Sequence, residues 1–347
     1  MIKRICFFTP EYDPARQSQM NYNEKVLPKE MEIFVVSLKE VDKKYKLKRS
    51  KIFSLSYNKI KSPFRLRKFC KDNKIDLLTN LRGTGRAVFG FVIASIFTKT
   101  KTIFYVVGNP KFRSPMNWPY FVSQFFIDRF LVSGKWVKEN MEKYLFFSKK
   151  KIFYLPNPIN THLFCQKDKK KIRKKLGFGE RDKVLISIGR IEPEQGSDYL
   201  LELINKNTDK KFLLIGNIKD ESFRNKKFKN VVHIPFIQNI DLPEYYNASD
   251  INLFFTKRNS YPLPPREALA CGVPVMIFDL NTFEQLDTSS AIKVPFDLEV
   301  IQKKIDEFFE LSKKEKNKLS KEAREFIIND CSEEVVEKDV LKYFLEI

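Results

Sequence analysis

Glycine, histidine and paired cysteine are scarce in this sequence. Only 11 of its 347 residues are glycine, and the one glycine-containing stretch that looks like a phosphate loop, Arg82-Gly83-Thr84-Gly85-Arg86, fits neither G-x-G-x-x-G nor a Walker sequence. It is expected to be the turn before a buried helix. With two histidines, His162 and His233, a multi-histidine metal site is not expected. The five cysteines (Cys6, Cys70, Cys165, Cys271, Cys331) are far apart and form no Cys-x-x-Cys pair. That spacing excludes a zinc ribbon and suits reduced thiols in a cytosolic protein. The longest apolar run, 87–97, is about half of what a bilayer crossing needs. The opening MIKRICFFTPEYDP enters a strand directly, without a signal peptide's apolar region and small-residue cleavage site. The expected location is the cytoplasm, with any membrane association peripheral and at the inner face.

What the chain does have is positive charge, unevenly placed. Lys and Arg number 64 against 43 Asp and Glu, for a net of +21. Residues 1–170 hold 35 basic and 13 acidic side chains, a net of +22, so the remainder is close to neutral. The first half is therefore expected to meet something anionic, such as an anionic membrane surface or a polyanionic substrate. Nucleic acid is not expected as a partner, because no RNA-binding sequence pattern accompanies the charge. A chain of this length exceeds one usual core, and 33 Phe with 13 Tyr suffice for two.

Apolar strands and helices alternate twice along the chain. In the first set, a strand at 2–9 runs into the loop 10–18, followed by a helix at 21–27. Further strands are expected at 33–37, 52–56, 76–80, 102–107 and 152–155, with a basic helix at 63–73 and a buried one at 87–97. Residues 111–118, basic and proline-marked, are expected to form a loop or acceptor-side lid. A charged segment, 166–175, is expected to be a linker. The second set then opens with a strand at 184–188, the loop 189–196 and a helix from Ser197. Two such sets predict an α/β protein of two Rossmann-like, doubly wound domains facing each other across a cleft. The expected domains are 1–165, which the amphipathic helix 332–347 packs back upon, and 166–331.

The chain's organising stretch is Asn252 to Phe278. Strand, proline-stiffened loop, helix start, Cys271-Gly272 stop and a second strand follow one another. This order puts Glu267 in a helix's first turn at the carboxyl ends of strands, where open α/β sheets bind ligands. Such a place suits a phosphate-bearing ligand, with Glu267 for a pair of hydroxyls; the alternative is that Glu267 caps its own helix.

Several ordered pieces carry a resemblance. They are Phe8-Thr9-Pro10-Glu11-Tyr12-Asp13-Pro14-Ala15-Arg16, Leu155-Pro156-Asn157-Pro158, Ile188-Gly189-Arg190-Ile191 with Pro193-Glu194-Gln195-Gly196, Leu242 to Asp250, and Glu267-Ala268-Leu269-Ala270-Cys271-Gly272-Val273-Pro274. Together they resemble GT-B glycosyltransferases, and most closely glycosyltransferase family 4. The resemblance implies a nucleoside-diphosphate sugar as donor substrate (UDP, GDP or dTDP type undetermined), no tightly bound cofactor and no metal. It implies that Arg190 contacts the donor diphosphate, that Glu267 holds the ribose, and that Pro235, Phe236 and Ile237 form the base-binding turn. Tyr261 and Leu263 fall in the family's donor loop.

This chain departs from that pattern at a few positions. The family's lysine five residues after Arg190 is Gln195. The first glutamate of its pair is Asn259, the Gly-Phe-Gly that follows is Ser260-Tyr261-Pro262, and the Gly-Gly of the opening loop, where the resemblance implies donor binding by backbone amides, is Gln17-Ser18. Lys257 and Arg258 are candidates for the missing positive charge. The expected activity is metal-independent, retaining glycosyl transfer to a lipid-linked or polyanionic glycan acceptor in cell-surface polysaccharide or glycolipid synthesis, with Arg190, Gln195 and Asn259 at the reacting centre. The alternative is a catalytically impaired relative that serves as a nucleotide- or glycan-binding scaffold.

Overall fold

Strands and helices alternate throughout the computed structural model, which describes residues 2–58, 61–81, 85–96, 98–106, 118–144, 146–223, 226–258, 262–283 and 285–347. The chain divides into two units, Met1–Pro156 with Val336–Ile347, and Asn157–Val335. Along the first unit run β1 (Arg4–Thr9), α1 (Pro14–Val26), β2 (Glu32–Ser37), β3 (Lys51–Ser54), α2 (Lys61–Asp72), β4 (Leu77–Asn80), α3 (Gly85–Ser95), β5 (Lys101–Val106), α4 (Trp118–Ser123), β6 (Arg129–Val132), α5 (Lys135–Tyr144) and β7 (Ile152–Tyr154). The second contains α6 (Lys169–Leu176), β8 (Val184–Ile188), α7 (Ser197–Lys206), β9 (Lys211–Ile215), β10 (Val231–Ile234), α8 (Leu242–Ala248), β11 (Ile251–Phe254), α9 (Pro264–Ala270), β12 (Val275–Phe278), β13 (Ala291–Val294), α10 (Leu298–Glu310) and α11 (Lys313–Cys331). The last helix, α12 (Glu333–Leu345), begins in the second unit and ends in the first.

Among the described residues the strands form two sheets, ordered β3-β2-β1-β4-β5-β6-β7 and β10-β9-β8-β11-β12-β13. All pairings are parallel, with Ile5 between Ile33 and Leu77 in the first sheet and Ile186 between Leu213 and Asn252 in the second. A strand covered by helices on both faces must be apolar along its length. That is why β1, β4, β11 and β12 are almost wholly buried runs. In each sheet the chain winds outward from a central strand and then returns to that strand's other side. The strand order therefore reverses between β1 and β4, and again between β8 and β11, and ligands of such sheets bind at the reversal. The doubly wound α/β architecture expected from the sequence is present in both units.

Three boundaries differ from expectation. Helix α1 starts at Pro14, not near Asn21, because Asp13 caps it: its carboxylate accepts from the Arg16 amide at 3.0 Å, and Pro14 fits the first helical position. The charged segment read as a linker contains α6, with Asp168 as its cap. Its charges are used internally, since buried Arg173 and half-buried Lys169 both pair with Asp250, at 2.8 and 2.6 Å. The units divide at Pro156 rather than at 165, because Ile159 exchanges backbone hydrogen bonds with Cys331 and Glu333 of the second unit (2.8 and 3.1 Å). In the first unit, α12 buries Val336, Val340 and Phe344, and Phe344 stacks on Phe7 with centroids 6.2 Å apart. Residues 82–84 and 107–117, including nearly all of the expected lid, lie outside the described residues. Among those described, no helix is long and apolar enough to cross a membrane.

Candidate functional site

The strand reversal of the second unit lies between β8 and β11, and the loops that leave these strands are locked together. After β8 comes Gly189, at φ +142°, where an added Cβ would meet nothing within 4 Å. Gly216, at the end of β9, closes on it so tightly that a Cβ there would lie 1.9 Å from the Gly189 carbonyl oxygen. Arg190 follows, then a short 3-10 turn, Pro193–Gln195, and Gly196 at φ +76°. A Cβ on Gly196 would stand 2.4 Å from the carbonyl oxygen of Phe255, so only glycine lets this loop rest on the chain leaving β11. The Lys257 amide then donates to the Glu194 carbonyl at 2.9 Å. A cavity of about 10 Å³, the space of roughly one water, is lined by Gly189, Arg190, Gln195, Phe254 and Phe255 among others. Arg190 and Gln195 are thus brought to one place.

Arg190, which lines this cavity, belongs to a cluster of charges of both signs. Arg190 lies 3.2 Å from Glu192, and Arg258 lies 3.6 Å from the same carboxylate oxygen and 3.5 Å from Glu194. Lys257 is engaged elsewhere, reaching both oxygens of Asp198 at 2.7 and 3.0 Å. Helix α7 begins at Gly196 with no side-chain cap. Its positive end faces the same loop, which is where an anion is favoured.

Glu267 sits in the first turn of α9 and is 6% exposed. It does not cap its own helix. Its carboxylate accepts from the Tyr246 hydroxyl at 3.0 Å and from the Asn239 side chain. Burial pushes its pKa up to about 7, against the lowering effect of these two hydrogen bonds. Burial and the neighbouring Glu267 push Tyr246 upward as well. Asn239 belongs to the turn after β10 that carries Phe236 and Ile237; the Phe236 ring is 78% exposed and Ile237 is half-buried. An exposed aromatic three residues from a Glu267 partner can stack a planar base. Leu263 is the half-buried N-cap of α9, whereas Asn259 and Tyr261 lie outside the described residues.

In the first unit Gln17 does not lie on a loop. It is inside α1, its side chain accepting from the Tyr12 hydroxyl (3.2 Å) and donating to the Lys46 carbonyl (2.9 Å). Ser18 follows it in the helix; its side chain is outside the described residues. Sequence reasoning did not single out Tyr246, Asn239 or Glu192. Tyr246 lay within a quoted stretch, but nothing local marked its hydroxyl as a partner for Glu267. Among the described residues, no group of three or more His, Cys, Asp and Glu is placed to hold a metal ion.

Residues 168–326, which contain this whole arrangement, match the family described as glycosyl transferases group 1. Over that segment, a little under half of the chain, the protein is similar to this family. The whole fold is that of the GT-B glycosyltransferases: the chain superimposes on Anabaena Alr3699/HepE in complex with UDP with a TM-score of 0.80, at 13% identity, covering 100% of both chains. Among curated proteins, an uncharacterized 41.2 kDa protein in the cps region of Klebsiella pneumoniae is 31% identical over 100 residues, 28% of each chain. Alpha-galactosylglucosyldiacylglycerol synthase of Streptococcus pneumoniae is 21% identical over 149 residues, 39% of this chain and 40% of that one. These matches span well under half the length of the curated relatives. Inside the matched segment, Arg190 and Glu267 stand on the loop after β8 and in the first turn of α9.

Proposed function

We propose that the protein is a glycosyltransferase that moves a sugar from a nucleoside-diphosphate sugar to a lipid-linked or anionic glycan acceptor. The reaction serves cell-surface polysaccharide or glycolipid assembly, retains the anomeric configuration and needs no metal or tightly bound cofactor. The observation that carries this is Glu267, buried yet hydrogen-bonded by Tyr246 and Asn239, in the same domain as the Arg190 loop at the strand reversal. In this proposal Arg190 binds the diphosphate, Glu267 the ribose, and Phe236 and Ile237 the base. Gln195 and Asn259 border the transferred sugar, as do Tyr261 and Leu263, while Gln17 and Ser18 support the loop after β1. The Anabaena neighbour was solved with UDP, which makes UDP the first nucleotide to try. The Streptococcus relative, named as a glycolipid synthase, favours a lipid-linked acceptor.

The protein acts in the cytoplasm at the inner membrane face, docked through its basic first half. Helix α2 supports this docking with an exposed face of Lys61, Phe64, Arg65, Lys68 and Lys71, on which Phe64 is 57% exposed. Co-sedimentation with anionic vesicles should weaken between low and high salt, and binding indifferent to salt would remove the electrostatic part of this account.

One observation favours a second account. Gln195 provides no charge where the family places a lysine, which suits a scaffold that binds a nucleotide without turning it over. Donor turnover by the wild type decides between them: transfer or hydrolysis rules out the scaffold, and tight nucleotide binding without turnover, restored by Gln195→Lys, supports it.

A further inference from the structure

The family's second diphosphate cation is absent at Gln195, and the geometry around Glu192 points to a replacement. We propose that Arg258 is that cation, and that Glu192 is the residue positioning Arg258 beside Arg190. This rests on the proposal of a nucleoside-diphosphate donor.

Glu192 is 7% exposed, and its Oε1 is shut off from solvent with no aligned hydrogen bond among the described residues. A buried carboxylate oxygen left so would be costly. Its compensation is Coulombic, from the guanidinium of Arg190 at 3.2 Å and that of Arg258 at 3.6 Å. Two like charges are thereby gathered on one inner anion. Neither guanidinium spends an aligned side-chain hydrogen bond on a described residue, and each side chain remains about half exposed, at 48% and 47%. Their donor forks stay open to a ligand that can accept several hydrogen bonds at once, as a diphosphate does.

The neighbouring charges sharpen the choice. Lys257 reaches both oxygens of Asp198 and lies over the Tyr199 ring, so its ammonium is directed to α7 and not to the oxygen shared by Arg190 and Arg258. Glu194, 3.5 Å from Arg258, is 60% exposed, and an exposed pair of this kind is worth little and yields to a stronger anion. The backbone sets the approach. The Lys257 amide bonds the Glu194 carbonyl, and the Arg258 amide bonds the Thr256 hydroxyl at 3.2 Å. Arg258 therefore leaves the loop after β11 beside the loop after β8, whichever way residues 259–261 run on. The site would keep two cations on the diphosphate, taken from two loops where the family uses one.

The test is calorimetric titration of UDP, UMP and uridine into the wild type, Arg258→Ala, Arg258→Lys, Glu192→Gln, and Arg258→Ala with Gln195→Lys. Arg258→Ala should weaken UDP about tenfold to a hundredfold and leave uridine unchanged. Glu192→Gln should lower the ratio of UDP to UMP affinity, a readout that mere loss of packing would not move, with the melting temperature showing that the fold persists. Gln195→Lys should recover at least part of the loss in the Arg258→Ala background. Wild-type affinity for UDP in Arg258→Ala overturns this inference and leaves the donor proposal standing. If the wild type binds neither UDP nor GDP nor dTDP, both fall together.

Discussion

The two units share a winding order but treat the end of their first strand in opposite ways. After β1 the chain enters α1 through Asp13, whose carboxylate accepts from the Arg16 amide and pairs with the Arg16 guanidinium. After β8 it enters α7 through Gly196, with no side-chain cap, and Arg190 and Arg258 gather at the same loop. The first unit caps that helix with its own side chain; in the second the helix has no side-chain cap, and the two guanidinium groups beside it stay about half exposed. The charge excess lies in the first half of the chain, the pair of half-exposed guanidinium groups in the second. Net charge governs where anions are drawn from a distance, and local donor geometry governs where one is held.

That contrast can be broken at several points. The largest effect is expected at Gly216→Ala, because the new Cβ would meet the Gly189 carbonyl at 1.9 Å and occupy φ +136°. A loss of about 3 kcal/mol or more follows. Gly90→Ala in α3 of the first unit meets nothing within 4 Å and should instead be neutral or slightly stabilising. Equal melting temperatures for the two variants would remove the claim that the second unit's loops are the tightly fitted ones.

Next comes Arg190→Ala, for which UDP affinity should fall about tenfold to a hundredfold. Smaller still is the effect of pH. Glu267 has a folded pKa raised to about 7 from an ordinary 4.5. Its contribution to stability is therefore fully present below about 4.5 and is lost as pH rises through about 7. Glu267→Gln should remove that loss, so its melting temperature should gain on the wild type above neutral pH. If the ionised carboxylate holds the ribose, wild-type UDP affinity should rise about tenfold between roughly pH 6 and pH 8. The Glu267→Gln profile should be flat; a parallel profile would assign the titration to another group.

The smallest effect concerns the first unit. Asp13→Ala should cost about 1 kcal/mol as a lost cap and leave UDP affinity unchanged. A tenfold change in affinity, in either direction, would put the end of α1 inside the donor site and dissolve the contrast.

The wound sheets were legible because strands covered on both faces must be apolar, and β1, β8 and β12 appear as such runs. The places of Arg190, after β8, and of Glu267, in the first turn of α9, were legible from the ordered residues around them. The start of α1 lies inside the stretch expected to be a loop, because Asp13-Pro14 is a helix start signal. Helix α6 was hidden by its lysines, since only the fold shows that Arg173 is buried against Asp250. The partners of Glu267 and Glu192 were illegible for one reason. Tyr246 is 21 residues from Glu267, and Arg258 leaves a different strand from Glu192. The first contact joins α8 to α9 across β11, and the second exists only once β8 and β11 are neighbours.

The central claim is that the second unit holds a nucleoside diphosphate on Arg190. It is tested most directly by calorimetric titration of UDP, GDP and dTDP into the wild type and Arg190→Ala. The account predicts one-to-one binding of at least one of them by the wild type, weakened at least tenfold in the variant. Absence of binding by the wild type, or equal affinity in the two proteins, would contradict it.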